Sequence, residues 1–224
     1  MSQQKILIIG GSRGIGLELV RQYRAAGDQV VATARSDAGL AALRELGATA
    51  LKLDVADTAS VSGLAWQIDG HHFDTVVISA GIFGPRSQGL QTPTEVDFDA
   101  VMHTNVLGPM RVLPQLVDAL APQARLAVIS SRMGSIGLRA GTHGWLYRAS
   151  KAALNSLLKD ASLELAGRAI CISFHPGWVR TDMGGEGADI EVATSVAGMR
   201  TVLATLKPEH NGCFFNYDGQ TLDW

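Results

Sequence analysis

The sequence predicts a doubly wound α/β fold: a single Rossmann-type domain over residues 1–224, with a parallel sheet of about seven strands and helices on both faces. Three observations carry this. Short runs that are apolar at every position recur along the chain, longer stretches of helical character separate them, and the first run breaks into a glycine-rich turn. A strand apolar at every second position has one wet face. A strand apolar throughout is buried on both, as parallel strands under helical crossovers are. The alternation of such strands with helices is the doubly wound pattern.

Taken in order, the strand candidates are "KILIIG", "QVVATA", "ATALKL", "DTVVIS", "RLAVIS", "AICISF" and "GCFFNY", and most intervals between them are long enough for a helix. "GSIGLRAGTHG" (134–144) and "GGEGA" (184–188) read as loops inside the domain. No repeat of 20 to 50 residues, low-complexity tract or Pro/Ser-rich linker divides the chain. With 224 residues, 46% of them hydrophobic and 18% charged, one sizeable core is expected.

The net charge of -2, the absence of a Lys/Arg run and the few aromatic residues give no phosphate-tracking or base-stacking surface, so nucleic acid is not an expected partner. No apolar stretch approaches the ~20 residues of a membrane span. A cytoplasmic protein is expected, with Cys171 and Cys213, both in apolar segments, as buried thiols and not a bridge. His71, His72, His103 and His143 have no metal-ligand spacing, and HExxH and CxxC are absent, so no metal is expected.

The stretch "ILIIGGSRGIGLELVRQYRAAG" runs strand, glycine turn, helix, with Gly10, Gly14 and Gly16 in a GxxxGxG spacing. Glycines there permit a tight turn and let a pyrophosphate approach the positive end of a helix. The alternative is a glycine-rich turn with no ligand. About 20 residues past the glycines, an acid would accept from the 2′-hydroxyl of NAD. None stands at the end of "QVVATARS", where Ala34 and Arg35 are found. Arg35, with Arg13 in the glycine loop, would converge on a 2′-phosphate, so NADP(H) is expected over NAD(H); as surface residues the two arginines would do nothing of the kind.

Beside "GGSRGIG" stand "LDV" (53–55), "NVLG" (105–108), "VISS" (128–131), "YRASK" (147–151) and "HPGWVRTDM" (175–183), in that order. With these motifs the chain resembles the short-chain dehydrogenases/reductases over essentially its full length. "ISSRMGSIG", "YRASKAALN" and "HPGWVRTDMGG" look most like the compact branch that contains C-factor and the sniffer-type carbonyl reductases.

The resemblance implies a catalytic set of Asn105, Ser131, Tyr147 and Lys151. Tyr147 would be the general acid or base, Ser131 would hold the substrate oxygen, and Lys151 would tune the phenol and bond the nicotinamide ribose. Asn105 would support a water relay behind the lysine. An ammonium four residues from a phenol on one helix face favours phenolate, although Tyr and Lys at that spacing alone are usually a solvated pair. The resemblance also implies cofactor contacts from Gly10, Ser12, Arg13, Gly14, Ile15, Gly16, Arg35, Asp54, Ala80, Gly81, Tyr147, Lys151, Pro176, Gly177, Val179 and Thr181.

Three departures stand out. Ser79 in "ISAG" replaces an amide, Ile9 replaces the threonine before Gly10, and Tyr147 lies sixteen positions after Ser131, which lets "GLRAGTHGW" loop over the pocket. Met133, Trp145, Trp178 and Met183 are candidate apolar walls, or simply core. The expected reaction is hydride transfer between NADP(H) and a small-molecule carbonyl or alcohol. The alternative is an NAD(P)-binding signalling or redox-sensing protein of C-factor type with little turnover. The resemblance further implies a homo-oligomer, dimer or tetramer, through helices near 95–119 and 146–166, with a monomer as the other option.

Overall fold

The computed structural model describes residues 3–224. Seven strands form one parallel sheet in the order β3-β2-β1-β4-β5-β6-β7. They are β1 (Lys5–Ile9), β2 (Gln29–Ala34), β3 (Thr49–Lys52), β4 (Phe73–Ile78), β5 (Leu120–Ile129), β6 (Ala169–His175) and β7 (Cys213–Asn216). The all-apolar strands are buried on both faces: within β1, Ile6 and Ile8 enter one core while Leu7 and Ile9 enter the other.

On the first face lie α1 (Gly14–Ala25), α2 (Asp37–Glu45) and α8 (Val192–Thr205), with Leu19, Leu43 and Met199 in its core. On the second lie α3 (Thr58–Ser62), α4 (Leu64–Gln67), α6 (Gly108–Leu116) and α7 (Trp145–Glu164), which contribute Val61, Leu64, Val112, Leu154 and Leu158. The crossover after β3 is two short helices joined at Gly63, where one longer helix would also have fitted the interval. Cys171 is buried and Cys213 half-buried, both as free thiols.

Winding reverses between β1 and β4, the strand order being 3-2-1 on one side and 4-5-6-7 on the other. At such a switch point the crossovers leave to opposite faces and open a crevice at the C-terminal ends of the strands. Here the backbones remain tied: the Ile9 carbonyl accepts from Ser79 N at 2.8 Å and Ala80 N at 3.0 Å.

Two local features place side chains at that edge. Between α5 (Glu95–Met102) and α6 the helix takes one π-helical turn, His103–Leu107, and turns Asn105 fully into the interior. A π turn inserts an extra residue into a helix and re-aims the side chains beyond it, and such turns are frequent at functional sites. The second feature is Gly144, left-handed at φ 64, from which α7 starts. A Cβ there would lie 3.0 Å from the Phe83 ring, so the loop before α7 and the segment after β4 meet at a glycine.

Gly16 sets how closely α1 approaches the turn before it. A Cβ at this position would sit 2.0 Å from the Gly10 carbonyl oxygen, a backbone atom that cannot swing away. Gly16→Ala is therefore expected to cost about 1–3 kcal/mol in urea denaturation, the range for forced overpacking. An unchanged midpoint would mean that the turn relaxes around the methyl group.

Candidate active site

The crevice is bounded on one side by the glycine turn. Gly10 is left-handed at φ 86, and a Cβ on it would strike the Ala80 backbone at 2.7 Å. Its N–H donates to the Thr33 hydroxyl at 2.9 Å, and Gly11 N donates to the Thr33 carbonyl at 2.8 Å. The hydroxyl missing at Ile9 is thus supplied from β2. Ser12, Arg13, Gly14 and Ile15 line the crevice. Arg13, the residue that begins α1, makes no side-chain cap, and no acid occupies the first helical turn, so its N–H groups have no carboxylate competitor.

Next come Ala34 and Arg35, then Leu53, Asp54 and Val55. Arg13 and Arg35 are exposed and, among the described residues, paired with no carboxylate; the nearest acid past β2, Asp37, is bonded to Lys52 at 3.1 Å. Asp54 lines the crevice and also pins a turn, since its carboxylate accepts from Ala56 N at 3.0 Å. A crevice lined by glycine backbone, open helix N–H groups and two guanidinium groups fits an elongated, phosphate-bearing dinucleotide.

The crevice also holds Tyr147 and Lys151, only 7% and 4% exposed. Lys151 Nζ donates to the Ile129 carbonyl at 2.8 Å and lies 5.6 Å from the centre of the Tyr147 ring. Burial pushes the phenol up to about 12, opposed by the neighbouring Ser131 hydroxyl. Burial also pulls the ammonium down to about 8. Desolvation thus sets both shifts, and neither group shows the pair attraction expected from the spacing. Phe83 completes the enclosure, stacked on Tyr147 at 4.5 Å between ring centres.

Asn105 stands behind this pair. Its Oδ1 accepts from Ile82 N at 2.9 Å, and its Nδ2 donates to the Ile82 carbonyl at 2.8 Å and to Ser150 Oγ at 3.0 Å. The Ser150 hydroxyl in turn donates to the Tyr147 carbonyl at 2.8 Å. A buried phenol beside a buried ammonium and a serine hydroxyl, opening on a dinucleotide-shaped crevice, is equipped for proton transfer coupled to redox chemistry.

Residues 4–191 match the short chain dehydrogenase family. This chain belongs to that family. The C-signal protein of Myxococcus xanthus is 40% identical over 154 residues, 67% of this chain and 92% of that protein. Among solved structures, a short-chain dehydrogenase/reductase from Burkholderia multivorans with bound NADP has a TM-score of 0.90 at 31% identity, covering 100% of both chains. The carbonyl reductase Sniffer of D. melanogaster has a TM-score of 0.90 at 29% identity, again covering 100% of both.

In this short-chain dehydrogenase the crevice gathers Gly10, Ser12, Arg13, Gly14, Ile15, Arg35, Asp54, Ala80, Gly81, Tyr147, Lys151, Pro176 and Thr181. Five other expected residues do not line it. Asn105 and Gly16 lie behind its wall, and Ser131 stands beside the phenol while Ser130 faces the crevice. Gly177, at φ 85, packs under Ile190, and Val179 is buried in a bridge to Ile190, so both shape the loop from beneath.

No residue of "GLRAGTHGW" (137–145), expected to loop over the pocket, lines the crevice. Gly137 N bonds the Trp224 carbonyl at 3.0 Å and Gly144 N the Ser87 carbonyl at 3.0 Å, which hold it against the C-terminal residues and the segment after β4. Of the apolar candidates, Met183 lines the crevice, the Met133 methyl approaches Gly144 beside Phe83, and Trp178 is exposed. Thr33, Ile82, Thr104 and Asp182 also line it. Asp182 falls inside "HPGWVRTDM" without a role attached to it, and no motif singled out Thr33, Ile82 or Thr104.

The shift at Lys151 carries a signed consequence. With the folded value near 8 and the ordinary value at 10.5, the unfolded chain holds the proton through a window in which the native state has released it. Burial of the charge therefore weakens the native state below pH 8, and the penalty fades as pH rises toward 10.5. Relative to Lys151→Met, wild type should gain about 2–3 kcal/mol in urea denaturation between pH 7.5 and 10.5. A difference independent of pH would contradict the buried-ammonium assignment.

Proposed function

We propose that this short-chain dehydrogenase is an NADPH-preferring carbonyl reductase that uses Tyr147 as proton donor. The observation that carries the reading is the buried Ser131, Tyr147 and Lys151 cluster beside a crevice that also presents Arg13 and Arg35 without a competing acid. The NADP in the Burkholderia structure and the carbonyl reductase activity named for Sniffer support it.

On this reading the glycine turn (Gly10, Ser12, Gly14, Ile15), with Gly16 behind it, receives the pyrophosphate, and Arg13 and Arg35 bind the 2′-phosphate. Asp54 meets the adenine edge. Ala80, Gly81, Pro176 and Thr181, supported by Gly177 and Val179, hold the nicotinamide end, where Lys151 bonds the ribose. Bound NADPH supplies the hydride. Ser131 donates to the substrate oxygen and fixes it beside Tyr147 Oη. The phenolic proton moves to that oxygen, and the Lys151 ammonium offsets the charge left on the phenolate. Asn105 positions the lysine end of α7 through Ser150 and Ile82.

The 40% identity to C-signal favours a second reading, a nucleotide-binding signalling protein with little turnover. The two are separated by following NADPH oxidation across aldehydes, ketones, diketones and quinones. Turnover that falls by ~10²-fold or more in Tyr147→Phe, the scale of a positioned general acid, supports the reductase. Tight NADPH binding without turnover across the set, or turnover unchanged in Tyr147→Phe, counts against it. Separately, Arg35→Asp should weaken NADPH binding by about tenfold or more while leaving NADH within a few-fold, since only NADPH has a phosphate to lose. Equal losses would remove Arg35 from cofactor choice.

A further inference from the structure

The segment after β4 carries an arrangement that hydride transfer alone does not require. Phe83 lies against Tyr147, its ring tilted 23° from the phenol, and the Arg86 guanidinium sits 5.4 Å from the centre of the Phe83 ring. The guanidinium is therefore no further from the phenol than one intervening aromatic ring allows. From there Arg86 reaches across to the loop after β6, where Nη2 donates to the Met183 carbonyl at 3.0 Å. Met183 lines the crevice, so this bond ties Arg86 to its rim. Beneath it, Phe83 and the Met133 methyl meet at Gly144 and form an apolar wall next to Tyr147.

Arg86 is exposed, and that one carbonyl is its sole hydrogen-bond acceptor among the described residues. Three ion pairs occur among those residues and none includes it. A guanidinium has five N–H donors in a fixed fork suited to a carboxylate, so most of its capacity is unused. The Phe83 ring and the Met183 bond together fix its position beside the crevice. An apolar wall beside the proton donor with a preplaced, unpaired cation one ring away is complementary to a particular kind of molecule: an aromatic or apolar carbonyl compound with an anionic group at its far end.

We propose that Arg86 selects such anionic carbonyl substrates, its free N–H groups binding their carboxylate while the apolar body lies along Phe83 and Met133. The proposal rests on the reductase reading and narrows its substrate class. The selection acts in binding, so it falls on KM and not on kcat. The cation is exposed, so its advantage is modest and weakens as salt is added.

The test compares 4-carboxybenzaldehyde with its methyl ester, methyl 4-formylbenzoate, as substrates with NADPH, for wild type, Arg86→Ala, Arg86→Lys and Arg86→Glu. Wild type should favour the acid by about five- to tenfold in kcat/KM through a lower KM, with the advantage shrinking between low and high salt. The ratio should collapse toward one in Arg86→Ala, be partly kept in Arg86→Lys and invert in Arg86→Glu. Equal use of acid and ester by wild type, or a loss in Arg86→Ala that is the same for both, overturns the proposal and leaves Arg86 as a brace between two loops. Reduction of neither aldehyde counts against the reductase reading, and selection is then read from calorimetric titration of both compounds into the NADP⁺-loaded protein. Tighter binding of the acid that depends on Arg86 sustains the proposal. Equal binding or none overturns it.

Discussion

An ammonium that is only 4% exposed must be held by the fold, since removing a charge from water is costly unless acceptors replace its hydration. The arrangement around Lys151 follows from that requirement. The Ile129 carbonyl, the last of β5, accepts from Nζ at 2.8 Å, so the lysine is anchored to the edge of the sheet and not to the phenol it accompanies. Two glycines let the surroundings close on it. A Cβ on Gly81 would stand 3.4 Å from Nζ, and one on Gly134 would press on the Lys151 backbone at 2.7 Å. Closure of the Arg132–Gly134 turn onto α7 is also what brings Ser131, the residue before that turn, beside Tyr147.

Asn105 extends the same logic to the opposite wall. Its amide is satisfied by Ile82 N, the Ile82 carbonyl and Ser150 Oγ, so the segment leaving β4 and the second turn of α7 are held at a fixed separation by one side chain. Half-satisfied buried amides are expensive, and here both ends of the amide have partners. The π turn at His103–Leu107 makes this possible by aiming the side chain inward while Gly108 packs close to Val55, where a Cβ would come within 3.0 Å. The helix that carries Tyr147 and Lys151 is thus positioned from two sides, by a sheet carbonyl and by an asparagine on a neighbouring helix.

Much of this was legible in the sequence for physical reasons. Strands such as "KILIIG" and "AICISF" are apolar at every position because both faces are covered, and a double-sided core leaves that pattern in any parallel sheet. Gly10 and Gly16 announced themselves because no other residue fits 2.7 Å from one backbone or 2.0 Å from another. The features that stayed hidden depend on partners distant in sequence. Thr33 takes over the tether lost at Ile9 from a different strand, and Phe83 stacks on a tyrosine 64 positions away. The path of 134–144 toward Trp224 is fixed by backbone bonds, which leave no side-chain pattern. Spacing alone misstates the balance at Tyr147 and Lys151, because it reports the attraction between two groups and not the water each has lost.

That balance bears on how proton and hydride transfer are coupled in the proposed reaction. A phenol near 12 is a poor acid toward a ground-state carbonyl, but an alkoxide is about as basic as hydroxide, whose conjugate acid has a pKa of ~15.7. The proton therefore moves downhill once hydride has reached carbon and not before, which couples the two transfers. The reverse reaction needs phenolate as base, and at neutral pH a phenol near 12 is almost wholly protonated. Raising the pH does not help in proportion, since Lys151 loses its charge near 8, well before the phenol ionises, and with it the cation that would stabilise phenolate. The desolvation that weakens the native state around Lys151 is thus the same property that would time the proton transfer in the proposed reaction.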